Sequence, residues 1–99
     1  MTGRSPLDHS VGTQSMVRLL GTWRAGGPAY EELARGIRRL VADGRLPMQS
    51  RVPAERHLAS ELGVSRNTIT AAYERLREEG YLDSRQGSGT WTTLPDRPA

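Results

Sequence analysis

Gly63 stands between two apolar patterns that each have helical spacing. Before it, Leu58, Ala59 and Leu62 fall on one side of a segment from Ala54 to Leu62. After it, Ile69, Ala72, Tyr73 and Leu76 recur at intervals of three and four, the period of one α-helical face. Gly63 predicts a tight turn between them, with Val64 packed beside it. Ser65 stands where a hydroxyl can cap the second helix, and Gly80 stands where that helix can end. Ala59 is small enough for the two helices to cross closely. Helix, glycine turn, helix is the helix-turn-helix arrangement.

The flanks extend the pattern. Tyr30, Leu33, Ala34, Ile37, Leu40 and Val41 form an earlier helical stripe, opened by Pro28 and stopped by Gly44. Leu46-Pro47 and Val52-Pro53 bracket an extended stretch, because a residue before proline is pushed out of the helical region. After Leu82 the period changes. Residues 82–85 and 90–93 are short, Thr-rich runs joined through Gln86-Gly87-Ser88-Gly89, which predicts a β-hairpin. The expected fold is mainly α with a small β-hairpin: a winged helix-turn-helix of three helices plus wing, over residues 28–94. Residues 1–27 are rich in Gly, Ser and Thr, with one apolar cluster at Met16, Val17, Leu19 and Leu20. They are expected to be a flexible arm with one helical turn near Val17 to Leu20. Residues 95–99 read as the start of a linker.

Ninety-nine residues allow one small domain. The chain has no Cys, which excludes disulfides, thiolate metal sites and thiol catalysis. His9 and His57 have no ligand-spaced partners, so no metal site is expected. No apolar run approaches the roughly 20 residues of a membrane span, and no secretory signal is visible at the start. A cytoplasmic location without membrane contact is expected. All 14 residues of the Lys+Arg class are Arg. Without lysine, no Schiff base to an aldehyde cofactor can form on this chain. No nucleophile, base and pocket converge in the pattern, and no enzymatic activity is expected.

The polar residues point elsewhere. Arg66, Asn67 and Thr70 lie at the start of the third helix, off its apolar face. Arg can read guanine O6 and N7, and Asn can read adenine N6 and N7, in the major groove. Ser65, Thr68 and the free amides of that turn can hold a phosphate oxygen. Arg56, early in the second helix, can reach the backbone or a neighbouring base, or else pair with Glu55 or Glu61. Arg85, Gln86 and Gly87 at the hairpin tip can enter the minor groove. Tyr73 and Trp91 read as core, and Arg38 and Arg39 as a solvated helix face. From Pro28 to Leu94, ten Arg face nine acids, so binding would rest on where the arginines stand and not on a strong overall field. The rival reading is a winged helix that binds protein without DNA.

The runs Pro53-Ala54-Glu55-Arg56-His57-Leu58-Ala59, Leu62-Gly63-Val64-Ser65-Arg66-Asn67-Thr68, Ala72-Tyr73, Glu79-Gly80-Tyr81-Leu82 and Arg85-Gln86-Gly87-Ser88-Gly89-Thr90 resemble the DNA-binding domain of GntR-family transcriptional regulators, and in particular its MocR branch. The resemblance covers residues 28 to 94. It implies DNA contacts from Arg56, Ser65, Arg66, Asn67, Thr70, Gln86 and Gly87, with a double-stranded operator as partner. It also implies a large aminotransferase-like domain that binds pyridoxal phosphate through a lysine. This chain has neither the length nor the lysine, so it is expected to be the N-terminal part of a longer protein. The cofactor is then expected outside this chain. A homodimer is expected for the full-length protein and a monomer for this fragment.

Overall fold

The computed structural model describes residues 9–85, 87 and 89–95. In chain order the elements are β1 His9–Ser10, α1 Thr13–Leu20, α2 Ala29–Ala42, β2 Ser50–Arg51, α3 Glu55–Leu62, α4 Arg66–Glu79, β3 Leu82–Arg85 and β4 Gly89–Thr92. The winged helix-turn-helix runs from α2 to β4, and one further helix, α1, precedes it.

The expected terminators do their work. Gly63 has φ +72°, a left-handed conformation that ends α3, and the Val64 amide then donates to the Ala59 carbonyl at 3.1 Å. Gly80, at φ +90°, ends α4 in the same way. Ser65 caps α4, its Oγ accepting from the Thr68 amide at 3.2 Å. The predicted helix at Ala54 to Leu62 starts one residue later, with Ala54 as its N-cap.

Leu33, Ile37, Leu58, Ile69, Tyr73, Leu76 and Leu82 pack into one buried cluster between α2, α3, α4 and the hairpin. The Tyr73 hydroxyl finds a partner there, donating to the Pro53 carbonyl at 2.8 Å. Burial pushes the phenol pKa up, with the nearby Glu55 charge adding to it.

Residues 9–20 differ from expectation. The flexible arm predicted over residues 1–27 does not describe them, although the helical turn expected near Val17 to Leu20 lies within α1. Thr13–Leu20 forms two turns of helix, with Met16 fully buried and Leu20 nearly so. The cause is packing. Met16 and Leu20, four apart, enter the same core as α2 and α3. Gly36 on α2 lets α1 close in, since a Cβ there would lie 3.1 Å from Leu20 Cδ2. Gln14 adds a tie, donating to Glu61 Oε1 at 3.1 Å. Residues 1–8 of the expected arm, and 96–99 of the expected linker, lie outside the described residues.

The sheet has the order β1-β2-β4-β3. β3 and β4 pair antiparallel from Leu82↔Thr92 to Arg85↔Gly89. β2 joins β4 antiparallel at Arg51↔Trp91 and takes β1 parallel on its other side. Buried Ser50 and Thr92 are satisfied locally. Thr92 Oγ1 accepts from the Ser50 amide at 2.9 Å and donates to the Pro47 carbonyl at 2.6 Å, which Ser50 Oγ also reaches at 2.7 Å.

Candidate nucleic-acid interface

α4 is amphipathic by position. Ile69, Ala72, Tyr73 and Leu76 are buried, while Ser65, Arg66 and Asn67 at its start are exposed. The amides of Arg66 and Asn67 stand at a helix start, where no preceding turn supplies an acceptor. The Arg66 side chain is 67% exposed. Ser65 Oγ and Thr68 Oγ1 lie 3.0 Å apart and share a hydroxyl proton. One hydroxyl proton of the pair is left to meet a phosphate oxygen.

The Gly63 turn brings the start of α3 against the start of α4. Glu55, the first residue of α3, sits at that junction. Its Oε1 accepts from Thr70 Oγ1 at 2.7 Å and lies 3.6 Å from Arg66 Nε. Sequence spacing singled out Arg66 and Thr70 but not the carboxylate that holds both. Glu55 and Glu61, the acids offered to Arg56, are engaged elsewhere, with Arg66 and Thr70 in one case and Gln14 in the other. Arg56 is exposed and, among the described residues, has no ion pair.

Arg85 is exposed but does not stand free. Its guanidinium donates from Nη2 to Gln49 Oε1 at 2.7 Å and lies 4.9 Å from the centre of the Trp91 ring. Gln49 has φ +66°, unusual for a residue with a side chain. Trp91 is buried, as expected, with an indole N–H that has no partner among the described residues. Gly87 is exposed at the hairpin turn with φ +79°. Gln86 lies outside the described residues. The structure therefore gathers Ser65, Arg66, Asn67, Thr68 and Thr70 in the first turns of α4, with Arg56 next to Glu55 at the start of α3 and Arg85 and Gly87 on the hairpin.

Arg38 and Arg39 part company. Arg38 donates to Glu79 at 2.7 Å, linking α2 to α4. Arg39 lines a groove of about 380 Å³ between α1 and α2, with Trp23, Arg35 and Arg45, and no residue of α4 borders it. Among the described residues, no three His, Asp or Glu gather as a metal site. Among the described residues, no helix is long and apolar enough to cross a membrane.

Residues 29–91 match the family model described as "Bacterial regulatory proteins, gntR family". The chain is 46% identical over 69 residues to "Probable rhizopine catabolism regulatory protein MocR" of Rhizobium meliloti, covering 69% of this chain and 14% of that protein. It is 48% identical over 65 residues to "HTH-type pyridoxine biosynthesis transcriptional regulator PdxR" of Corynebacterium glutamicum, covering 66% of this chain and 14% of that protein. The chain thus spans about one seventh of the length of these relatives. Among solved structures it resembles the AraR DNA-binding domain in complex with operator ORR3, at TM-score 0.61 and 30% identity, over 75% of this chain and 98% of that one. With the family model spanning most of the chain and these two regulators sharing nearly half of the matched residues, the chain belongs to the GntR family of bacterial regulatory proteins, in its MocR-like branch.

Proposed function

We propose that this chain is the sequence-specific, double-stranded DNA-binding domain of a bacterial transcription regulator. The start of α4 enters the major groove and the β3–β4 wing approaches the minor groove. The observation that carries this reading is the division of α4: its apolar side is consumed by the core, and its first turn presents Arg66 and Asn67 to solvent. The likeness to a domain solved with its operator supports it. Arg66 reads guanine and Asn67 adenine. Ser65, Thr68 and the first-turn amides hold a phosphate, and Arg56 meets the backbone. Arg85, Gln86 and Gly87 serve the wing contact, for which Arg85 exchanges Gln49 for DNA.

The chain acts by binding and not by catalysis. Pyridoxal phosphate does not fit it, since no lysine is present to hold the aldehyde. In the full-length regulator the cofactor belongs to the remaining length, as does homodimerisation, and the whole works in the cytoplasm. Selection from random duplexes, followed by titration of the retained sequences, tests the reading. The expected result is one preferred half-site whose affinity falls on Arg66→Ala by about 1–3 kcal/mol while circular dichroism is unchanged. Retention of no common sequence would instead favour a protein-binding winged helix.

A further inference from the structure

A carboxylate beside DNA-reading residues is repelled by phosphate, so the position of Glu55 asks for a reason. Its Oε1 is 2.7 Å from Thr70 Oγ1 and 3.6 Å from Arg66 Nε. The Thr70 hydroxyl also lies 3.1 Å from the Arg66 carbonyl, but it has one proton to give. The charge-assisted bond to the carboxylate is the shorter and stronger. Thr70 therefore fixes Glu55, and Glu55 attracts the guanidinium. The carboxylate stands on the Nε side of Arg66, at ion-pair distance and beyond hydrogen-bond length. The two terminal nitrogens remain, and a bidentate contact to guanine O6 and N7 needs two such donors.

We propose that Glu55 is a specificity-determining positioning residue. It aims Arg66 at a base edge and keeps that arginine, by charge, from serving as a general phosphate clamp. Discrimination then comes from repulsion at wrong sites as well as attraction at the right one. A domain with ten Arg against nine acids suits this device, since it has little overall field to hold it on random DNA. The proposal rests on the DNA-binding reading above.

The test compares the intact chain with Glu55→Gln and Thr70→Val, on the selected duplex and on a random duplex of equal length, across a salt series. Glu55→Gln is expected to bind random DNA more tightly and to lose about tenfold in the ratio of selected to random affinity. Its salt slope should steepen by about one, because Arg66 gains a phosphate. Thr70→Val keeps the charge and loses the anchor, so the ratio should fall by less with no change in slope. If the parent chain discriminates and both variants keep its ratio, the role of Glu55 is overturned. Equal loss of affinity for both duplexes in Glu55→Gln would overturn it too, as a merely structural effect. Should Glu55→Gln not fold, Thr70→Val decides. A parent chain that does not discriminate overturns the DNA-binding reading itself, a result distinct from these.

Discussion

Glu32 is 6% exposed, yet it is charged and satisfied. The Ala25 amide donates to Oε1 and the Gly27 amide to Oε2, each at 2.7 Å, and Arg24 Nε lies 3.7 Å away. Those two backbone hydrogen bonds, with Arg24 and Arg35 nearby, hold its carboxyl below the usual carboxylate range. A depressed folded pKa stabilises the fold above the ordinary carboxylate value, and that contribution is lost as pH falls through the folded value. Glu32→Gln should therefore be less stable at pH 7, and its denaturant midpoint should decline less steeply on acidification below about pH 5. An acid profile parallel to the parent's would show that the charge on Glu32 does not hold the 25–27 loop. At this scale the sequence was legible where partners are close in number. Ser65 as a cap to Thr68 is one such case. Glu55 with Thr70, or Arg85 with Gln49, join residues 15 and 36 positions apart. No local spacing signals such a pair; only the turn at Gly63 and the β2–β4–β3 pairing create it.

Helices α2, α3 and α4 each announce themselves by an apolar period and a glycine stop, and the hairpin by its change of period. Of the eight residues of α1, only the last turn, Val17 to Leu20, is announced by its apolar cluster. A helix that short is marginal in water, and the sequence around it is rich in turn formers. Its stability comes from tertiary contact, Met16 and Leu20 entering a core whose other members lie beyond residue 30. Met16→Ala should consequently lower stability by about 2–5 kcal/mol, as truncation of a buried side chain does, with a matching drop in melting temperature. A melting temperature that does not move would mean that α1 is an appendage after all. Truncating Leu19, which is only partly buried, should cost less and provides the internal control.

At the scale of the whole molecule, the fold serves to hold one helix start at a fixed angle. Tyr73 ties α4 to the segment before α3 through the Pro53 carbonyl. Glu79 takes Arg38 from α2 and Arg75 from its own helix, at 2.7 and 3.1 Å, at the far end. These ion pairs are partly exposed and contribute little stability; the Arg38 pair links the end of α4 to α2. The wing is braced separately, by Gln49 and Trp91 around Arg85. The first turn of α4 is left exposed, and on the proposed reading its placement, not the net charge, makes recognition. Methylation footprinting tests this most directly, because dimethyl sulfate marks guanine N7 in the major groove. On the selected duplex the chain should protect guanine N7 within one major-groove segment, and Arg66→Ala, still folded, should leave that guanine reactive. Contradiction would come from a duplex that is bound with no guanine N7 protected, or from protection that survives Arg66→Ala unchanged.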